Sequence, residues 1–207
     1  MKTIKPLKPH EAFLRECLDY DPETGILSWK KQRPAHHFKT IRGSKIWHAK
    51  FAGKPAGTKQ GRDDRLQLHF STIKLDPYVT RVIWLLATGN DPLDMVIDHI
   101  NGNPDDNRLI NLRLATPEQN VHNSKTYANN KTGYKGVERT PWGFRVTMRT
   151  KRVYFNKSYP TLDEAVAARQ KLERMHWGQY SREASNAIAA ALAYIFSNNS
   201  VNIVRSI

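Results

Sequence analysis

The stretch from Met95 to Asn120 leaves a folding chain few options. Met95 to Asp98 is a short apolar run suited to a strand, and Leu112 to Ala115 is a second. Between them lies a loop dense in Asn, Asp, Gly and Pro, residues whose side chains or backbone freedom favour turns. Thr116 reads as a helix N-cap, Pro117 as the first helical position and Gln119 as the return partner of a capping box. The expected local order is strand, loop, strand, helix. Its polar residues fall at set points on that frame: Asp98 beside His99, Asn111 twelve residues beyond the histidine, and Asn120 on the helix.

Those residue types suit phosphodiester hydrolysis, which needs a hard divalent cation on the phosphate oxygens and a base that activates water. Asp98 offers a carboxylate oxygen and Asn120 an amide oxygen, both matched to Mg²⁺ or Mn²⁺. Two protein ligands suffice, because Mg²⁺ keeps waters and takes substrate phosphate oxygens at its other positions. In an extended segment His99 points away from its neighbour Asp98, which suits it to act on water while Asp98 holds the metal. A purely structural role would have Asp98 capping a turn and Asn111 satisfying loop backbone groups.

Composition points to a partner of the same kind. Thirty-three Lys and Arg against nineteen Asp and Glu give a net charge of +14, which favours a phosphate-bearing polyanion. Cys17 is the only cysteine, which excludes an intramolecular disulfide and a cysteine-based zinc site. The first residues carry no apolar signal core, and no run of eighteen apolar residues occurs. The expectation is a soluble cytoplasmic protein with no membrane partner.

Upstream, residues 8 to 20 suggest a short amphipathic helix with Ala12, Phe13, Cys17 and Leu18 on one stripe. Asp21 to Gly25 reads as a turn before a strand at Ile26 to Trp29. Lys30 to Lys50 is basic and aperiodic, and its His36, His37 and His48 suit surface or phosphate contacts better than metal ligation. Leu66, Leu68 and Phe70 alternate with Arg65, Gln67 and His69, as a half-buried strand would. Val79, Val82, Ile83 and Leu86 place a helix over Pro77 to Thr88, with Gly89 at its C-cap and a break at Pro92.

Beyond the Asn- and Lys-rich stretch Lys125 to Lys131, three short strands are expected at Gly133 to Thr140, Gly143 to Thr150 and Arg152 to Lys157. A helix follows, capped by Thr161 with Glu164, and Leu162, Ala165, Ala168, Leu172 and Met175 form its expected buried stripe. Alternation directs Phe144, Val146 and Met148 toward that helix and Arg145, Arg149, Arg152 and Tyr154 outward. A basic, aromatic-studded face of this sort suits a nucleic-acid groove, although a solvated charged face is the simpler alternative. Ala187 to Phe196 is apolar and uncharged, and packing back on the body is favoured over self-association.

Ile97 to Asn103, Asn107 to Arg113 and Thr116 to Asn120 closely resemble the HNH endonucleases of phages and mobile introns, whose active site is a ββα-metal fold. That resemblance implies His99 as general base, Asp98 and Asn120 on one Mg²⁺ or Mn²⁺ per site, and Asn111 bracing the loop and orienting the His99 imidazole. His122 and Asn123 lie close enough to the last motif position to replace Asn120. Thr80 stands before Arg81 where relatives often carry histidine, and Asn120 stands where many carry histidine. Gly133 to Val137, Pro141 to Val146 and the helix ending in Trp177 to Tyr180 look like the APETALA/ERF domain, whose three-stranded sheet lies in the DNA major groove. Positions matching its contacts are Lys135, Arg139, Trp142, Arg145, Arg149, Arg152 and Tyr154, with Glu138 as an acidic departure.

The expected fold class is α+β: a ββα-metal core followed by a three-stranded antiparallel sheet packed on one helix. The expected divisions are a basic lead-in over 1–64, a nuclease domain over 65–126, a linker over 127–132, the sheet domain over 133–181 and an apolar tail over 182–207. The expected activity is metal-dependent cleavage of double-stranded DNA, with nicking of a homing type, by a monomer or weak homodimer. The competing expectation is a sequence-specific DNA-binding regulator with an inactive HNH region.

Overall fold

Leu14 and Cys17 lie about one helical turn apart, and both are fully buried. The computed structural model describes residues 5–60, 63–124, 126, 129–150 and 153–203. It places this pair on α1, Glu11–Cys17, entered through a 3-10 turn at Lys8–His10. The helix is shorter than the expected span of 8 to 20, because Leu18–Tyr20 is already strand β1, paired antiparallel with β2, Leu27–Trp29. Its stripe is also rotated: Leu14 is buried and Ala12 exposed. In the turn between the strands, Asp21 accepts from the Glu23 N–H at 2.9 Å and from the Thr24 hydroxyl at 2.7 Å.

The basic stretch read as aperiodic contains a helix, α2, Ile41–Phe51. Thr40 caps it by accepting the Gly43 N–H at 3.0 Å. None of its residues is buried, so it has no apolar stripe for periodicity to detect. Its Trp47 instead meets Trp29 edge-on, with ring centroids 5.4 Å apart.

A further antiparallel pair follows, β3, Thr58–Gln60, with β4, Asp63–Gln67. The expected alternation continues past the strand end, with Leu68 and Phe70 buried. α3, Val79–Thr88, buries Val79, Val82, Ile83 and Leu85 and ends at Gly89 in the left-handed region. β5, Val96–His99, pairs with β6, Leu112–Ala115, in a register that sets Asp98 opposite Arg113. α4, Pro117–Asn123, follows directly. Strand, loop, strand and helix therefore occur where the residues place them.

The chain divides into two compact units, Met1–His99 with Asn103–Pro117, and Ile100–Gly102 with Glu118–Ile207. The first is built on one apolar core drawn from α1, β1, β2, α3, β5 and β6, with Leu14, Ile83, Ile97 and Leu112 among its members. The second holds a three-stranded antiparallel sheet of β7, Val137–Thr140, β8, Gly143–Arg149, and β9, Tyr154–Tyr159. α5, Leu162–Trp177, packs on that sheet through Val137, Val146 and Ala165. The Thr161 hydroxyl accepts the Glu164 N–H at 3.3 Å and caps α5 as its sequence requires. The fold class is α+β, with small antiparallel sheets and a sheet resting on one helix. α6, Arg182–Ile203, completes the described chain. Among the described residues no helix is long and apolar enough to cross a membrane.

The buried stripe of α5 differs from the apolar one expected. Met175 is 68% exposed, and Arg169 and Glu173 are buried instead. Arg169 Nε donates to Glu173 at 2.8 Å, and its Nη1 donates to the Thr147 carbonyl of β8 at 2.5 Å. Burial pushes the Glu173 carboxyl above its usual range while Arg169 opposes that shift. The guanidinium reaches the sheet over Gly136, which has φ 72°. A Cβ there would lie 2.6 Å from Arg169 Nη1 and 2.7 Å from the Thr147 oxygen. Gly136→Ala is therefore expected to cost about 1–3 kcal/mol, from backbone strain and from displacement of Arg169. Urea denaturation followed by circular dichroism checks this, and an unchanged midpoint would show that the contact is dispensable.

Candidate active site

Asp98 and His99 are the last two residues of β5, and pleating sends their side chains to opposite faces. On one face the antiparallel register brings Arg113 across to Asp98. Its Nε and Nη2 lie 2.9 Å and 2.7 Å from the carboxylate, and both contacts end on Oδ2. On the other, His99 Nε2 lies 3.0 Å from Asn107 Oδ1. An amide oxygen only accepts, so Nε2 is the donor in this contact.

Asn107 is itself held from the start of the chain. The Tyr20 hydroxyl donates to its backbone oxygen at 3.0 Å. Burial raises the Tyr20 pKa, which keeps the phenol a donor. Gly25, with φ 75°, passes so close that a Cβ would fall 2.5 Å from the Arg108 nitrogen and 2.7 Å from the Asn107 carbonyl carbon. The turn at Asp21 to Gly25 thus presses backbone on backbone against the loop that carries Asn107. Inside the loop, the Arg108 guanidinium forks onto Asp106 at 2.7 Å and 2.6 Å. Asn111, 1% exposed, donates its amide to the Asp106 carbonyl at 2.8 Å. Asn111 therefore braces the loop, and Asn107 makes a hydrogen bond to the imidazole.

In the second unit, the residues near the end of the motif have separate attachments. The His122 ring stacks on Trp177, with centroids 4.1 Å apart and planes 9° from parallel, and burial lowers its pKa. Buried Asn123 donates to the Ile100 carbonyl at 3.4 Å, and its backbone and side-chain oxygens each lie 3.3 Å from Arg182 Nη1. Asn120, on α4, is half-buried.

The sheet sorts the expected nucleic-acid contacts into three groups. Register places Arg145 opposite Glu138 and Arg149 opposite Tyr154, so these share the face turned away from Val146. Arg145 donates to Glu138 at 2.7 Å, which balances that acid locally. Tyr154 is 71% and Trp142 92% exposed. Arg139 lies opposite Phe144, on the other face of the strand, where it is exposed. Lys135 turns back toward α4, donating to the Val121 carbonyl at 2.7 Å and to Ser124 Oγ at 2.6 Å, and burial lowers its pKa. Arg152 lies outside the described residues.

Asn107, Arg113, Tyr20 and Gly25 were missed from sequence. Arg113 had a usable signal, because pairing the two expected strands already sets it near Asp98. Tyr20 and Gly25 had none, since their partners lie about eighty residues away along the chain.

The loop, its two strands and the following helix constitute an HNH endonuclease domain. That family matches residues 78–122, from the start of α3 to the end of α4. Protein 3.8 of Escherichia phage T7 is 39% identical over 104 residues, covering 48% of this chain and 84% of the phage protein. An uncharacterized HNH endonuclease of Acanthamoeba polyphaga mimivirus is 28% identical over 136 residues, 65% of this chain and 64% of that protein. The chain belongs to the family of the T7 protein. No solved structure matches it. An HNH domain implies DNA as the partner, and HNH nucleases generally use a divalent metal.

If Asn107 sets the imidazole tautomer, nitrogen-detected NMR of His99 at neutral pH will show the Nε2-protonated form in the native chain. Asn107→Ala is expected to give a mixture of tautomers with little loss of stability. A native-like spectrum in that variant would count against the assignment.

Proposed function

We propose that this chain is a metal-dependent DNA endonuclease in which His99 activates the attacking water. The observation that carries the proposal is the His99 ring, held by Asn107 through Nε2 beside the buried Asp98. A neutral imidazole so oriented can accept a proton from the attacking water. Asn111, which donates to the Asp106 carbonyl, is the residue proposed to brace the loop and orient the His99 imidazole.

Asp98 and Asn120 are the proposed metal ligands. Their donor set is oxygen only, which fits Mg²⁺ or Mn²⁺. The Asp98 carboxylate is buried and lies beside Arg113, at the end of β5. His122 and Asn123 are engaged with Trp177, Ile100 and Arg182, which favours Asn120 among the three candidates. A bound divalent ion would stabilise the charge that develops on the phosphate and leaving oxygens.

The second unit supplies the grip on the duplex, in an APETALA/ERF-like manner. Arg145, Arg149 and Tyr154 share one sheet face with Trp142 beside it, and Arg139 projects from the opposite face. Arg152 joins them by sequence position, and Lys135 anchors the start of the sheet to α4. One active site per chain suits nicking of a homing type by a monomer or weak homodimer.

Supercoiled plasmid incubated with Mg²⁺ or Mn²⁺ provides the test. The native chain is expected to yield relaxed circles, EDTA to stop the reaction, and His99→Ala to slow it by about 10²–10⁴-fold. Retained DNA binding with no metal-dependent nicking would favour the second reading, a DNA-binding regulator, which the Asp98–Arg113 pair also suits. DNA affinity should fall steeply between low and physiological salt, and Arg149→Ala should weaken binding and flatten that dependence. An affinity indifferent to salt would count against the basic face.

A further inference from the structure

Glu16, at the end of α1, and the 3-10 turn Ala35–His37 belong to the same unit as the Asp98 loop but take no part in it. His37 Nε2 lies 2.8 Å from Glu16 Oε2, and His36 Nε2 lies 3.4 Å from the same oxygen. All three candidate ligand atoms fall within 4.8 Å of one another. We propose that Glu16, His36 and His37 form a second metal site, suited to Zn²⁺, that ties the basic segment after β2 to the end of α1.

Distances, donor chemistry and surroundings support this assignment. A tetrahedral Zn²⁺ with bonds of about 2.0–2.1 Å separates its ligand atoms by about 3.3 Å. The two measured separations bracket that value. Two imidazoles with one carboxylate form a nitrogen-rich set that suits zinc, in contrast to the oxygen-only pair proposed for the nuclease site.

The histidines differ in role. His37 is buried, its side chain 1% exposed, and a metal would be held there by its neutral imidazole. Its other nitrogen, Nδ1, lies 3.5 Å from Cys17 Sγ. That neighbouring sulfur can accept the Nδ1–H when Nε2 is given to the metal, fixing the ring as an outer partner. Glu16 and His36 are exposed, so the ion and a water as fourth ligand can enter from solvent. The sequence placed His36 and His37 among surface or phosphate-contacting residues, because Glu16 comes from another element.

Metal-stripped full-length protein, titrated with ZnCl₂ by calorimetry and followed by thermal melting, provides the test. The native chain should bind zinc and melt at a higher temperature with it. Glu16→Gln and His36→Ala lie at exposed positions that leave the core intact. Each should weaken binding by about tenfold or more and abolish the zinc-dependent rise, in keeping with loss of one ligand of three. Asp98→Asn should keep that rise, which separates this site from the proposed nuclease metal. Zinc uptake and melting unchanged in both Glu16→Gln and His36→Ala, or no zinc uptake by the native chain, would overturn the proposal.

Discussion

The approach of Gly25 to the backbone of Asn107 and Arg108 is the contact on which the candidate site depends. No side chain fits between those two segments, so the turn after β1 and the loop after β5 are held at van der Waals distance. The Tyr20 hydroxyl fixes the same carbonyl from beside it. A loop otherwise rich in Asn, Asp and Gly, and so inclined to many conformations, is confined to one. The His99 ring takes its orientation from that confinement.

Elements with strong local signals formed where the residues place them. α3 has an apolar stripe and a glycine stop, β5 and β6 are apolar runs flanking a turn-rich loop, and α5 opens on a threonine cap. α2 escaped because periodicity detects burial, and no residue of that helix is buried. α1 ended early because Leu18 serves a strand, where helical spacing and strand alternation had both been possible. In the site, Asp98, His99 and Asn111 were legible as residue types at set spacing. Asn107 was not singled out, since one asparagine in an asparagine-rich loop looks like another until a partner in space selects it.

Two buried or half-buried ion pairs show charge put to different uses. Arg169 with Glu173 occupies positions in α5 that an apolar pair would fill at lower desolvation cost. It also gives the helix a hydrogen bond to β8, so the pair favours one alignment of helix on sheet. Arg113 with Asp98 instead joins neighbouring strands, across the register that sets the two residues opposite each other.

Tyr20 and Gly25 lie outside residues 78–122, the segment that the HNH endonuclease family matches. The packing that shapes the candidate site therefore extends beyond the matched segment. A host fold that received only the strand, loop, strand and helix would carry His99 and Asn107 without the turn that holds them together. To keep the loop's shape, such a transplant would have to bring β1 and the turn after it, or find another backbone able to press as closely.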